Sequence, residues 1–271
     1  MDQPLKTAKQ GIYPGCSREE TLAFLLLNKI AYMDAFAGIS EDIYDYGQWT
    51  AYYGDGQMKS LLAIFDRIRP ATVFALGHIT GLKLLRQEAG FPSAIQILTS
   101  REFIKYLESD FILETPVMMQ QMYLFKKKKR PRLQGQAARL GIADLSDIQE
   151  LFAACSCGVF QDIYQLMNGV YFGIRKEEHL VSLCGTHVFA PEHGMASIGN
   201  VMTHPLYRRQ SYGAQCLDRL IYELSKQCPN ICIKVSTDND VALHMYQKAG
   251  FIRCQEFFEG KVISKKGIKD V

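Results

Sequence analysis

Residues 200–224, "NVMTHPLYRRQSYGAQCLDRLIYEL", pass from an apolar run through His204 and Pro205 into "RRQSYGA", and then into a helical pattern. A helix N-terminus leaves its first N–H groups unpaired and carries partial positive charge, which makes it a ready seat for a phosphate. Arg208 and Arg209 add fixed positive charge, and the small residues Ser211, Gly213 and Ala214 let backbone approach bound oxygens. The pattern reads as a pyrophosphate cradle. A serine at this position is equally what a helix N-cap requires, so the spacing alone leaves both readings open.

The rest of the chain sets the frame for that cradle. With 271 residues, 48% of them hydrophobic and 22% charged, the sequence is globular and long enough for about two domains of ~100 to 200 residues. A formal net charge of +3 is too small to imply a polyanionic partner. The longest apolar stretch, "TLAFLLLNKIAYMDAFAGI", is interrupted by Asn28, Lys29 and Asp34 short of the ~20 apolar residues a bilayer span needs. The opening residues lack a secretory signal pattern, so the expected location is cytoplasmic, with no membrane partner. Cys16, Cys155, Cys157, Cys184, Cys216, Cys228, Cys232 and Cys254 read as free thiols, and "CSC" and "CPNIC" lack zinc-ligand spacing, so no metal is expected.

A run of like charge with proline, residues 126–132 ("KKKKRPR"), reads as a linker. It divides the chain into an expected smaller α/β domain over 1–130 and a second domain over 133–271. In the first, "TLAFLLLNKIAYMDAF", "MKSLLAIFDRIR" and "ITGLKLLRQEAGF" read as helices, "ATVFALG" and "AIQILTS" as strands, and the Tyr-rich "YDYGQWTAYYGDG" as a loop. That loop either lines a pocket or staples itself to a core. In the second, the order is a strand, two helices, three antiparallel strands over 170–204, the long helix from about Ser211, the strand "ICIKVST", the helix "DVALHMYQKAG" and two strands, "CQEFFEG" and "KVISK". Asp144 or Ser146 is the expected cap of the first of these helices.

This half resembles the GNAT acetyltransferases. The family's pyrophosphate motif is similar to Arg208-Arg209-Gln210-Ser211-Tyr212-Gly213, preceded by "HPLYRR", with Ser211 where the first glycine stands. Its second motif is similar to Asn239, Ala242, Tyr246 and Gly250-Phe251. The resemblance covers residues 136 to about 262 and implies a mixed, mostly antiparallel sheet flanked by helices. It also implies acetyl-CoA or another acyl-CoA as co-substrate.

From the resemblance, the strand ending in "GNVMTH" is expected to bulge and diverge from "ICIKVST". Backbone at Val201, Met202 and Thr203 would then hydrogen-bond the pantetheine arm, with Val201 contacting the oxyanion. Arg208, Arg209, Gln210, Ser211, Tyr212, Gly213 and Ala214 would hold the pyrophosphate. Asn239 would contact pantetheine, though it serves equally well as a helix cap. Tyr246 matches the general acid, against a plain core tyrosine as the alternative. The glutamate that many relatives use as base is missing, its positions being Ser197 and Gly199. His187, Glu192 and His193 are the candidates left, the last two in a polar turn. "QEAGF" at 87–91 parallels "QKAGF" at 247–251, and suggests that the first domain is accessory, a degenerate copy of the same fold.

The expectation is therefore an N-acyltransferase in which a primary amine, on a small molecule or peptide, attacks the thioester directly. A non-catalytic CoA-binding regulatory module is the alternative that Ser197 and Ser211 raise. Nucleic acid, through residues 126–132, is not the expected partner. A homodimer is left open, and the acceptor is not encoded in any motif.

Overall fold

The computed structural model describes residues 9–67, 71–114, 117–125, 136–160 and 163–265. The chain forms two compact units, residues 1–119 with 256–271, and residues 120–255. The first, expected to be the smaller, has nearly the length of the second. The charged run 126–132, read as the linker, lies outside the described residues.

The first unit contains β1 (Gly11–Pro14), α1 (Arg18–Leu27), a 3₁₀ turn (Met33–Gly38), α2 (Glu41–Tyr44), β2 (Gln48–Gly54), β3 (Gln57–Phe65) and β4 (Ala71–Gly77). It continues with α3 (Ile79–Glu88), β5 (Ala94–Thr99), α4 (Arg101–Leu107), β6 (Phe111–Leu113) and the start of β7 (Val117–Leu124). Its sheet runs β1-β2-β3-β4-β5, antiparallel except for β4 and β5, which are parallel.

Three expectations change here. "MKSLLAIF" is the strand β3, because Ser60 through Phe65 are buried on both sheet faces in a central strand, where a continuous apolar run needs no alternation. The Tyr-rich segment is largely the strand β2. Tyr44, Trp49 and Tyr53 are core, while Tyr46 is exposed: Trp49 stacks on Tyr44 at 5.0 Å and donates from Nε1 to the Tyr44 carbonyl. The first long helix stops at Leu27 and resumes only as the 3₁₀ turn.

The second unit contains the rest of β7, β8 (Ala138–Leu140), a 3₁₀ turn (Ile142–Asp144), α5 (Leu145–Ala154), α6 (Ile163–Asn168), β9 (Tyr171–Lys176), β10 (His179–Ala190) and β11 (Met195–Thr203). Then come α7 (Tyr212–Leu224), β12 (Asn230–Ser236), α8 (Asp240–Ala249) and the first part of β13 (Phe251–Ser264). Its sheet is ordered β8-β9-β10-β11-β12-β7-β13. β8 to β11 are successively antiparallel, while β11 and β12 are parallel.

The two strands expected at the end are one strand, β13. Gly260, the last residue of the first of them, sits in register opposite Ile97. Residues 258–263 pair with β5 inside the first unit, and Met122 and Leu124 of β7 enter the core of the second. Asp144 is the cap position of α5 without a capping bond; its carboxylate instead accepts from Gly141 N and pairs with Arg175 at 2.5 Å.

Alternation along the strands explains the layering of the second unit. Tyr171, Leu180 and Leu183 pack with α5 and α6, whereas their neighbours Phe172, Val181 and Cys184 pack with α7 and α8. On α7, Cys216, Leu217, Leu220 and Leu224 are fully buried at helical spacing, each leucine contributing about 2 kcal/mol by burial. The result is a mixed, mostly antiparallel sheet between two helical layers.

The first unit repeats this layout. A strand, helices, three antiparallel strands, a helix, a parallel strand and a helix follow in the same order, and the parallel pair matches over four residues in each case: Ala71–Phe74 with Ile95–Leu98, and Met195–Ile198 with Asn230–Ile233. The sequence echo is not the structural one, however. "QEAGF" ends α3, which follows the third of those strands, whereas "QKAGF" ends α8, whose counterpart by order is α4. Ala89 is extended, while Gly250 is left-handed at φ 109.

Candidate functional site

β11 and β12 stay paired only as far as Ile198 and Ile233. Beyond that point β11 remains bonded to β10 but not to β12, so residues 199–203 present one backbone edge to the gap. A bulge sharpens the divergence. Between Gly185↔Gly199 and Leu183↔Met202, β11 spends two residues against one on β10, and Asn200 takes a left-handed φ of 51. The Asn200 side chain donates to Tyr171 Oη at 3.1 Å, and that hydroxyl donates to the Thr186 carbonyl at 3.1 Å. Val201, Met202 and Thr203 follow, half-buried.

The strand end is fixed from below. His204 N donates to Val181 O at 2.8 Å, and Ser182 Oγ donates to Met202 O at 2.9 Å and lies 2.9 Å from Thr203 Oγ1. Pro205–Tyr207 forms a 3₁₀ turn capped by the His204 ring. The chain then enters the loop of Arg208, Arg209, Gln210 and Ser211, all exposed. Arg208 Nε donates back to the Thr203 carbonyl at 3.2 Å, and Cys155 Sγ approaches the same oxygen at 3.6 Å. Burial pushes the Cys155 thiol up and Arg208 pulls against it.

Arg209 and Ser211 are both left-handed at φ 63, separated by Gln210. Left-handed residues in such a loop turn successive N–H groups toward one side, the arrangement that makes an anion-binding concavity. Ser211 is the N-cap of α7, yet its side chain makes no capping bond. The capping explanation of this serine therefore fails; the residue holds the backbone conformation that a glycine adopts without cost. Tyr212, Gly213 and Ala214 form the first turn of α7, with the Lys176 ammonium 5.4 Å from the Tyr212 ring centroid. Two arginines, an uncapped helix start and a free strand edge are what an elongated, doubly phosphorylated ligand needs, and the residues fit coenzyme A in that sense.

On the other side of the gap, Asn239 caps α8, its side-chain oxygen accepting from Ala242 N at 3.1 Å. The oxygen is thus used within the helix, leaving the amide N–H₂ as the donor. Tyr246 is only 5% exposed, edge-on to Phe251 at 6.2 Å, within the core that includes Cys184. Burial first, and the neighbouring Cys184 second, push its phenol far above the usual range, so it keeps its proton at any working pH.

The base candidates separate. His187 lies on β10, with Nδ1 3.4 Å from Gln165 Oε1 of α6, and its ring rests on Gly199, where any side chain would overlap it. Glu192, 53% exposed at its side chain and 3.7 Å from His193, occupies the turn before Met195. Six residues of strand, ~20 Å, separate that turn from Val201. The structure brings His187 to the bulge and leaves Glu192 and His193 at the opposite end of β11. Ser197, at the position of the missing carboxylate, is 0% exposed, with no hydrogen-bond partner for its Oγ among the described residues.

Gln165, Tyr171, Ser182 and Thr186 escaped the sequence reading. Each acts through a partner 15 to 22 residues away, at a spacing that no local pattern encodes. Among the described residues no cluster of three or more His, Cys, Asp or Glu could hold a metal, and no helix is long and apolar enough to cross a membrane.

Among its described residues the first unit has no such loop. β4 passes into α3 through the single residue His78, and Thr99 Oγ1 donates to the Ala75 carbonyl at 3.0 Å where β4 and β5 separate.

Comparison with known proteins accords with this geometry. Residues 143–251 match the model of the acetyltransferase (GNAT) family. No curated protein matches the chain. Among solved structures, a Drosophila protein superposes with a TM-score of 0.68 at 12% identity, over 93% of this chain and 99% of that one. A GCN5-related N-acetyltransferase from Sphaerobacter thermophilus gives 0.57 at 13%, over 94% and 96%. A tandem GNAT protein from the clavulanic acid biosynthesis pathway gives 0.55 at 9%, over 94% and 98%. At these identities the likeness is one of fold. The divergence of β11 from β12, the arginine loop and the family match all fall within residues 143–251, so it is this region of the chain that is similar to the acetyltransferase (GNAT) family.

Proposed function

We propose that the protein is an acyl-CoA-dependent N-acyltransferase, transferring acetyl from acetyl-CoA to a primary amine of a small molecule or peptide by direct attack. The observation that carries this reading is the end of β11 that parts from β12 after Ile198, with Val201, Met202 and Thr203, leading through the turn Pro205–Tyr207 into the left-handed arginine loop. Backbone N–H and C=O groups there bind an extended amide chain as an added strand would, and the loop N–H groups with Arg208 and Arg209 bind its phosphates.

The thioester supplies an activated acyl carbon and a thiolate leaving group. Val201 N–H donates to the oxygen on which charge develops, beside a bulge that keeps this group out of the sheet. His187 takes the proton that the amine nitrogen loses as the new C–N bond forms. Tyr246, kept protonated by burial, gives its proton to sulfur as the C–S bond breaks. Solvent exchange returns both groups to their starting states.

The first unit is proposed to be a degenerate copy of the same fold with an accessory role. It keeps the strand order but has its splay bridged by Thr99 and lacks the loop. A second reading, a CoA-binding regulatory module, draws on Ser197 in place of a carboxylate. Release of free thiol from acetyl-CoA across a panel of amines decides between them. Turnover that depends on one acceptor class is expected; tight CoA binding with no thiol release under any amine would favour the regulatory module.

A further inference from the structure

We infer that Cys155 and Cys157 form a thiol modification site at the mouth of the cofactor gap, where a low-molecular-weight disulfide converts the pair into a Cys155–Cys157 disulfide and weakens acyl-CoA binding; this deepens the transferase reading and rests on it. Both cysteines are free thiols, Cys157 exposed and Cys155 half-buried, and neither has a part in the acyl transfer itself.

The end of helix α5 brings the two thiols together. Ser156 N donates to Ala153 O and Cys157 N donates to Phe152 O, each at 3.0 Å, and Ser156 is left-handed at φ 56, the pattern of a Schellman turn. This turn folds Cys157 back over the helix end, so that its Sγ lies 3.5 Å from the Cys155 carbonyl oxygen. Two Cα–Cα steps of about 3.8 Å, folded at the left-handed residue between them, bring the Cα atoms within the ~4.4 to 6.8 Å that a disulfide bridges. The ring so closed is small and strained, which places the bond among the labile, reversible disulfides.

The Cys155 thiol also reaches the strand end. Its Sγ donates to Thr203 O at 3.6 Å, the carbonyl that accepts from Arg208 Nε at 3.2 Å. One thiol thus props the last residue of β11 and the first arginine of the loop, where the pantetheine arm passes to its phosphates in the proposed complex. Drawing Sγ toward Cys157 removes that donor, and Thr203 and Arg208 lose their support from α5. The exposed Cys157 reacts first: its thiolate attacks one sulfur of the external disulfide, forming a mixed disulfide and releasing one thiolate. Cys155 then gives its proton to solvent, and its sulfur displaces the second thiolate from Cys157. Two protein thiols are oxidised and one external disulfide is reduced to two thiols. Burial first, then Cys157, push the Cys155 thiol up while Arg208 opposes them, so ring closure is the slower step and quickens as pH rises.

The test uses the full-length chain carrying Cys254→Ser, which removes the other exposed thiol, and oxidised glutathione as the probe. Peptide mapping after native treatment is expected to show the segment with Cys155 and Cys157 lighter by two hydrogens, and dithiothreitol should restore it. CoA affinity, read by calorimetric titration, should fall several-fold in the oxidised form and return on reduction. Cys157→Ser, which cannot close the ring, should bind CoA like its parent both before and after the oxidant. A glutathione adduct that stays on Cys157 without ring closure overturns the inference, as does a disulfide that leaves CoA affinity unchanged. An equal loss of affinity in oxidant-treated Cys157→Ser overturns it too. Ring closure with the expected loss of CoA affinity, but no thiol release from acetyl-CoA under any amine, would leave the modification site standing and sink the transferase reading instead.

Discussion

Asn200 holds a left-handed backbone conformation while its side chain donates 3.1 Å to the Tyr171 hydroxyl, so the bulge in β11 is tied to β9 across the intervening β10. The same hydroxyl donates to Thr186 O, and Thr186 Oγ1 accepts from Val170 N just beyond the end of α6, which makes Tyr171 the hub between the bulge and that contact. Tyr171→Phe removes both bonds and keeps the ring. The expected cost is about 1 to 3 kcal/mol of stability, together with a lower kcat and a raised KM for acyl-CoA. Chemical denaturation and steady-state kinetics read the two effects; a destabilised variant with unaltered kinetics would mean the bulge holds its shape without Tyr171.

Arg208 has its Nε committed to the Thr203 carbonyl, which leaves the outer nitrogens of the guanidinium for a phosphate at the mouth of the gap. Arg208→Ala should weaken CoA binding by about 1 to 3 kcal/mol, the value of a charge-assisted bond. For a pantetheine derivative without phosphates the loss should be much smaller. Calorimetric titration of both ligands separates the cases, since equal losses would assign Arg208 to holding the strand end.

Ser211 occupies a left-handed position that costs a non-glycine residue of order 1 kcal/mol, and its hydroxyl does not cap α7. Ser211→Gly should therefore preserve or raise both the melting temperature and CoA affinity, although the flexible unfolded chain offsets part of the gain. Ser211→Val, β-branched in the same conformation, should lower both. A Gly variant that loses several-fold in affinity would show that the hydroxyl itself binds the ligand.

How far the sequence carried this picture depends on the range of the interactions involved. The helix α7 was legible because Cys216, Leu217, Leu220 and Leu224 recur at one helical period, and the loop before it because arginine, serine and glycine types are locally diagnostic. The strand β3 was misread, since "LLAIF" buried on both faces has no alternation to distinguish it from a helix. β13 was split after Gly260 because a glycine suggests a strand end even when a partner strand carries the pairing through it. The assignment of β7 and of the end of β13 between the two units depends on pairing over more than a hundred residues of chain. Gln165 was invisible for a related reason: the residue it approaches, His187, lies 22 residues further along on another element.

The cysteines give the molecule an alkaline limit. Burial raises Cys216 to about 12 and Cys16 to about 11 from an ordinary 9.0, and raises Cys184 as well. These thiols keep their protons in the folded state after the unfolded chain has lost its own. Their stabilising contribution is thus complete below about pH 9 and is lost as pH rises through the folded values. Melting temperature should fall steadily above pH 9. In the native protein a thiol reagent should modify the exposed Cys157 and Cys254 first and Cys155 more slowly, reaching the five buried cysteines only on unfolding. Rapid native labelling of Cys216 or Cys184 would contradict this burial.

Tyr246 carries the most direct test of the chemistry. Its phenol is buried against Phe251 and near Cys184, so Tyr246→Phe removes one oxygen while keeping almost all of the packing, and stability and CoA affinity should change little. If the hydroxyl protonates the departing thiolate, the chemical step should slow by about 10²- to 10⁴-fold. Because burial holds the phenol protonated well beyond neutral pH, the wild-type rate should show no alkaline loss attributable to this group below about pH 10. Slow product release would hide the effect from steady-state turnover, so single-turnover measurement with enzyme in excess is the assay that reads it. A folded Phe variant with an unchanged chemical rate would reduce Tyr246 to a packing residue and pass the proton to water or to Tyr212. A lost rate with normal CoA binding would leave the regulatory-module reading without support, since a binding module has no chemical step to lose.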